Sequence, residues 1–186
     1  DSFDVHIVDN VRPSMEELNT EPARNEVHRL FMENVMERAP GYSELKDYVV
    51  SDILPTPSGV ERILRLYSAH TQESVLTMDM GGATTDIFSC ITGEYSRTVA
   101  ANTGMSYSIA NILSKSGIER LMQHLPREFD EDSVRDYIYN KTIFPAYVPE
   151  NKSEELVEQA AAICGAETSW KEHLDSCYKT MRVGFL

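Results

Sequence analysis

The chain of 186 residues contains no apolar run near the roughly 20 residues that a membrane-spanning helix needs. It is poor in basic residues. Seventeen Lys and Arg (17) stand against 30 Asp and Glu, for a formal net charge of −13. A phosphate backbone would be repelled by that excess, and no local Lys/Arg stripe offsets it, so no nucleic-acid partner is expected. Cysteine is scarce: Cys90, Cys164 and Cys177 form no Cys-x-x-Cys motif and cannot pair completely. That suits a reducing cytosol and mostly buried, unoxidised thiols. Internal repeats and low-complexity tracts are also missing. What is present is ordinary for a globular protein, 41% hydrophobic and 25% charged, which excludes a disordered chain. The length suffices for one domain or two small lobes. The expected setting is cytoplasmic, with no membrane partner.

The opening Asp1-Ser2-Phe3-Asp4-Val5-His6-Ile7-Val8 reads as a strand already under way, centred on Val5 to Val8. The chain is therefore expected to be a piece of a longer polypeptide. Thr20 is placed to cap a helix starting near Pro22, with Val27, Leu30, Phe31 and Val35 on a core-facing side and a stop before Pro40-Gly41. Thr56-Pro57 repeats the start signal, and Val60, Ile63, Leu64 and Tyr67 follow at helical spacing. Between Val75 and Ala100 the pattern becomes β. Strands are predicted at Val75 to Asp79, Thr85 to Ile91 and Tyr95 to Val99, with a turn at Thr92-Gly93, forming an antiparallel meander. Asn102-Thr103-Gly104 then turns into a helix carrying Met105, Ile109, Ile112 and Leu113 on one face. From Ser114 the pattern is helical, with breaks predicted at Gly117, Pro126, Pro145 to Pro149 and Gly165. The expected architecture is α/β: a small core around the meander over residues 1–113, and a mainly helical extension over 114–186.

The chemistry concentrates in Met78-Asp79-Met80-Gly81-Gly82-Ala83-Thr84-Thr85-Asp86-Ile87. A strand ending in Asp79 brings a carboxylate to the mouth of a sheet. Gly81 and Gly82 are expected to turn the backbone with positive φ and to leave no Cβ in the way of a ligand. Successive amides in such a bend can converge on an anion, as in phosphate-binding nests. Thr84 adds a hydroxyl at the tip, and Asp86 a second carboxylate on the return strand. Phosphoryl transfer asks for these parts: amide donors for the terminal phosphate, and a carboxylate that orients Mg²⁺ or the attacking water. A plain hairpin whose glycines only serve the turn is the competing reading.

This stretch resembles the second phosphate motif of the actin, heat-shock chaperone and hexokinase ATPase superfamily. The wider pattern resembles the MutL-type accessory proteins of glutamate mutase. It is carried by Asp9-Asn10-Val11 with Leu18 to Arg24, by Leu54-Pro55-Thr56-Pro57, by Asp79 to Ser89, and by Arg97-Thr98-Val99 with Gly104-Met105. The resemblance implies a ribonuclease H-like, actin-like ATPase subdomain and a factor that uses ATP and Mg²⁺ to reactivate an adenosylcobalamin-dependent mutase, its protein partner. It further implies that Asp79 acts near Mg²⁺ and the attacking water. Gly81, Gly82, Ala83 and Gly104 would line the nucleotide, Thr84 would hold phosphate, and Asp86 would be a supporting carboxylate. Where the family usually has an acidic-glycine-acidic stretch, this chain has Ala100-Ala101-Asn102. The superfamily's first phosphate motif and a glycine-rich adenosine motif are not found in these residues, so the resemblance implies part of a nucleotide site.

Other features weigh less. Asp4-Val5-His6-Ile7-Val8-Asp9 is similar to an Asp-x-His-x-x-Gly cobalamin ligand motif, but Asp9 replaces the glycine. His28, His70, His124 and His173 lack metal-ligand spacing and read as surface groups. Trp170 reads as a packing residue. Two alternatives to the accessory ATPase stay open: a small-molecule kinase of the same superfamily, and a binding module without turnover.

Overall fold

The computed structural model of the chain describes residues 3–51 and 53–183, with side chains described as far as residue 177. The chain divides into two compact units, one over residues 1–55 and one over residues 56–184.

The first unit contains helix α1 (Glu21–Phe31), a π-helical turn (Met32–Met36) and helix α2 (Tyr42–Tyr48). Val5 to Val8 are not a strand. An extended segment becomes one only when a neighbour takes up its amides, and none lies among the described residues of this unit. Pro22 sits in the first turn of α1 as expected, but Thr20 does not cap it. Its backbone is itself helical (φ −88°, ψ −14°), and its hydroxyl makes no capping bond. The anticipated core face of α1 is also not buried: Val27, Phe31 and Val35 are exposed. Among the described residues up to 55, Tyr42 alone is buried.

The second unit opens with α3 (Thr56–Thr71) and continues into three strands, β1 (Val75–Met80), β2 (Thr85–Ile91) and β3 (Glu94–Ala100). They form an antiparallel sheet in the order β1-β2-β3. The predicted meander is therefore present. The β2–β3 turn places Thr92 and Gly93 at φ 50° and 84°, the left-handed pair of a type I′ hairpin whose twist matches that of the strands. Helices α4 (Ile109–Ser116), α5 (Ile118–Met122), α6 (Glu131–Ile143) and α7 (Lys152–Val183) follow. Residue 113 lies within α4.

Strand alternation gives the sheet two faces. One carries Met78, Ile87 and Thr98 in register, and α7 packs against it. The other carries Asp79, Asp86, Phe88, Cys90, Tyr95 and Arg97, with α3 over the Cys90–Tyr95 end, where Arg65 lies 4.9 Å from the Tyr95 ring centroid. The main core is helical. Ile109, Ile112, Leu121, Ile138, Ala161 and Cys164 are almost fully buried in it. Asp130 caps α6 by accepting a hydrogen bond from the Ser133 amide at 3.0 Å, which also lowers the Asp130 pKa.

Two expectations about α7 fail. The helix is not broken at Gly165. A Cβ there would stand 2.9 Å from Ile112 Cδ1 and 3.3 Å from Met80 Cε, so this glycine serves close packing and not chain reversal. His173 is not a surface group. It is 1% exposed, with Nδ1 2.9 Å from Thr98 Oγ1, Nε2 2.9 Å from Ser89 Oγ, and the half-buried Trp170 stacked on its ring. Burial depresses its pKa, because the imidazolium would lose its hydration there.

Candidate functional site

The residues singled out from sequence meet at one end of the sheet. β1 and β2 pair to the last residue, Met80 opposite Thr85, leaving a four-residue bend at 81–84. The Gly81 amide donates to the Thr84 carbonyl at 2.8 Å, which closes the bend. That amide is therefore spent inside the hairpin and is not a ligand donor, contrary to the sequence expectation for Gly81. The dihedral expectation also needs correction, since neither Gly81 nor Gly82 has positive φ.

What the glycines allow is close approach of a second loop. Residues 104–106 run under the bend like a strap. The Met105 amide donates to the Gly81 carbonyl and the Ser106 amide to the Gly82 carbonyl, both at 2.9 Å. A Cβ on Gly104 would lie 2.5 Å from Ala83 N and 2.6 Å from the carbonyl carbons of Gly82 and Ala83, so glycine alone fits there. A Cβ on Gly82 would meet Ser106 Cβ at 3.1 Å. The strap is itself anchored. The Thr85 hydroxyl, fully buried, donates to the Thr103 carbonyl at 2.6 Å, and Lys115 Nζ donates to Thr103 Oγ1 at 2.9 Å and to Glu172 at 3.1 Å. Asn102 leads into the strap at φ 57°, a conformation that Asn tolerates better than most residues.

This strapping sets the direction of the amides. In a trans peptide the N–H points opposite to the C=O of the preceding residue, and the chain has no cis bonds among its described residues. The Gly81 and Gly82 carbonyls both face the strap, so the Gly82 and Ala83 amides both face away from it. Among the described residues, neither these two amides nor that of Thr84 has a hydrogen-bond acceptor. Ala83 and Thr84 are exposed and Gly82 half-buried, so the donors are reachable. Two adjacent parallel amides, a third beside them and the Thr84 hydroxyl form an arrangement suited to an anion.

The carboxylates behave differently from each other. Asp79 and Asp86 are direct cross-strand partners on one face, where like charges repel. Arg97 relieves this by binding Asp86, its Nε 2.8 Å and its terminal nitrogen 2.5 Å from Oδ1, while its guanidinium lies 5.6 Å from the Phe88 ring centroid. Asp79 is exposed and has no polar partner among the described residues. A divalent cation held through one carboxylate plus phosphate oxygens is compatible with this pattern. A cage of protein ligands is not, for the described residues contain no group of three or more His, Cys, Asp or Glu suited to a metal. The donor set therefore fits a nucleotide phosphate with its Mg²⁺, with Asp79, the 82–84 amides and Thr84 as the residues in position.

Sequence reasoning noted Arg97 within the motif pattern but gave it no role at the site, and it missed Ser106. Arg97 is diagonal to Asp86 in the register, a signal available only once β2 and β3 are aligned. Ser106 follows the Gly104-Met105 pair that was noted, but its contact with Gly82 is tertiary. His6, the other residue weighed, has Nδ1 2.7 Å from Glu26 and Nε2 3.2 Å from Asp4, so both ring nitrogens are engaged by carboxylates of its own unit.

Comparison with known proteins agrees with the pattern of motifs. The model of the family described as "MutL protein" matches residues 1–184. Protein MutL of Clostridium tetanomorphum is 28% identical over 201 aligned residues, covering 95% of this chain and 43% of that protein. The chain thus spans less than half the length of this relative. No solved structure matches.

Proposed function

Because this chain belongs to the MutL protein family, we propose that it forms part of an ATP-dependent accessory factor for an adenosylcobalamin-dependent mutase, of the glutamate mutase kind. The observation that carries the nucleotide half of this reading is the pair of Gly82 and Ala83 amides turned outward by the 104–106 strap. Bound Mg-ATP would supply the hydrolytic step that drives a change in affinity for the mutase. The chain's own part is positional. The 82–84 amides and the Thr84 hydroxyl bind phosphate oxygens, and Asp79 orients the water shell of Mg²⁺ or the attacking water. Asp86, committed to Arg97, keeps the hairpin's charge balanced and holds β2 to β3. Such a site lies on an actin-like ATPase fold in this reading, with Gly104 as the residue that lets the strap close.

The test is calorimetry and phosphate release with the full-length protein, comparing wild type with Asp79→Asn. Asp79 is exposed and unpaired, so the substitution should leave the melting temperature unchanged while reducing ATP turnover about 100-fold or more, the scale seen on removing one electrostatic contributor. Unchanged turnover would refute the assignment of Asp79. A second reading, binding without turnover, is favoured by the engagement of Asp86 with Arg97, which leaves one carboxylate at the bend. Mg-ATP binding with no phosphate release in the full-length wild type would select it.

A further inference from the structure

Ser106 links the bend to something else. Its amide donates to the Gly82 carbonyl, and its hydroxyl donates to the carbonyl of Pro145, 39 positions along the chain. Pro145 sits in the connection between α6 and α7, which Lys141, itself 7% exposed, secures by donating to the Tyr147 carbonyl and pairing with Glu158 at 2.8 Å. This connection is firmly tied on its inner side, yet it turns large apolar side chains outward. Ile143, Phe144 and Val148 are 67%, 65% and 72% exposed, and Tyr139, one turn before Ile143, is half exposed. The same face of α6 continues toward its N-terminus with Asp136 and Asp132, three and seven residues before Tyr139. Both are exposed, and neither is engaged in an ion pair among the described residues.

We propose that this ridge, from Asp132 and Asp136 through Tyr139 and Ile143 to Phe144 and Val148, is the docking surface for the partner protein, and that Ser106 couples it to the phosphate bend. The assignment rests on the reading of the chain as a mutase accessory factor. The occupant that fits is a basic amphipathic segment of the partner. Its apolar residues would cover Ile143 and Phe144, and its Lys or Arg residues would lie one to two turns away, opposite the two unpaired aspartates. That arrangement buries the apolar side chains and leaves the charge pairs at the rim, where they steer association more than they stabilise the complex. A phosphate drawing on the Gly82 and Ala83 amides acts on the peptide planes whose carbonyls the strap holds, and Ser106 is the point at which a shift there reaches the α6–α7 connection. Packed elements pass on small displacements in this way because they switch between discrete arrangements.

Two variants of the full-length protein test the proposal, with the mutase as the probe and affinity measured by calorimetry with and without Mg-ATP. Phe144→Asp with Val148→Asp should weaken mutase binding about tenfold or more, as for central interface residues, while Mg-ATP affinity stays within about twofold. Ser106→Ala should bind both the mutase and Mg-ATP but lose the dependence of one affinity on the other. Wild-type mutase binding should also weaken as salt rises, as expected when basic groups face aspartates. Full mutase affinity in the double variant would overturn the docking surface and leave the accessory reading standing. A wild type that binds no mutase in either nucleotide state would overturn both. Self-association that the double variant abolishes, with mutase binding intact, would give the ridge to a second copy of the chain and also refute the proposal. Intact nucleotide dependence in Ser106→Ala would refute the coupling.

Discussion

The two hairpin turns of the sheet both contain glycine, and the residue does a different job in each. At the β2–β3 turn, Thr92 and Gly93 take φ values of 50° and 84°, and a Cβ on Gly93 would meet nothing within 4 Å. There the glycine is needed for its dihedral angle and its surroundings are empty. At the β1–β2 bend the dihedrals of Gly81 and Gly82 are ordinary, and what matters is how near the 104–106 strap comes. The first turn is a local solution that any sheet could use. The second depends on a tertiary contact and yields outward amides as a consequence. Glycine in a turn therefore tells little about function until one knows whether angle or proximity requires it.

Substitution separates the two cases, and the largest effect should come from proximity. Gly104→Ala would put a methyl group 2.5 Å from Ala83 N and 2.6 Å from two carbonyl carbons, all of them backbone atoms that cannot rotate aside. A cost of about 3 kcal/mol is expected from overpacking of this kind, read as a lower urea midpoint at unchanged slope. The strap would also lift from the bend and Mg-ATP binding would fall. A wild-type midpoint would show that proximity is not what the bend requires.

His173 provides a control between the two turns, since it bonds to Ser89 on β2 and Thr98 on β3. His173→Leu removes the partner of the buried Ser89 hydroxyl, at a cost of about 2 kcal/mol, without touching either turn. It also carries a pH signature. The folded pKa is depressed below the ordinary 6.5, so the unfolded chain binds the extra proton first. The contribution of neutral His173 is complete above 6.5 and is lost as pH falls through the depressed folded value. Urea titrations across that range should show wild-type stability declining with acidity, and the decline should be smaller in the variant. Parallel pH profiles would contradict this account of the buried imidazole.

Next in size is Gly93→Ala, which meets no neighbour and yet should cost about 1 kcal/mol, because a Cβ is disfavoured in the left-handed region. Calorimetric melting of the two alanine variants would then show two costs with two origins. Only Gly104→Ala should weaken nucleotide binding. If Gly93→Ala did so as well, the two turns would not be independent.

These differences also explain how far the sequence could be read. The meander was legible because β-branched and aromatic residues fill Thr85 to Ile91 and because Thr92-Gly93 is a local turn signal. Asp79, Thr84 and Asp86 were legible as a group because they lie within eight residues of one another. Gly81 and Gly82 were recognised for the wrong physical reason, since the strap that demands them begins some twenty residues later. Gly165 was misread as a break for the same cause: its partners are Ile112 and Met80, both distant in sequence. Val5 to Val8 have strand composition, but composition supplies no pairing partner. His173 was the missed residue with a usable signal. Ala161, Gly165, Ser169 and His173 recur every four positions along α7 and are all buried, a stripe that helical periodicity would have exposed.

The smallest effect concerns Thr92, and it has the opposite sign. A β-branched residue with φ of 50° is strained, and its hydroxyl does no more than bond to the Ile91 carbonyl at 2.7 Å. Asn is favoured at this position of a type I′ turn because its short polar side chain tolerates the left-handed region. Thr92→Asn should therefore raise stability by about 0.5 kcal/mol, in the range of turn optimisation, with no change in Mg-ATP affinity or mutase binding. A denaturation midpoint that rises while both affinities hold would show that the β2–β3 end of the sheet answers to dihedral preference alone. A fall in the midpoint would mean that the Thr92 hydroxyl matters more than its backbone strain, and the contrast between a turn made by angle and a bend made by contact would lose one of its sides.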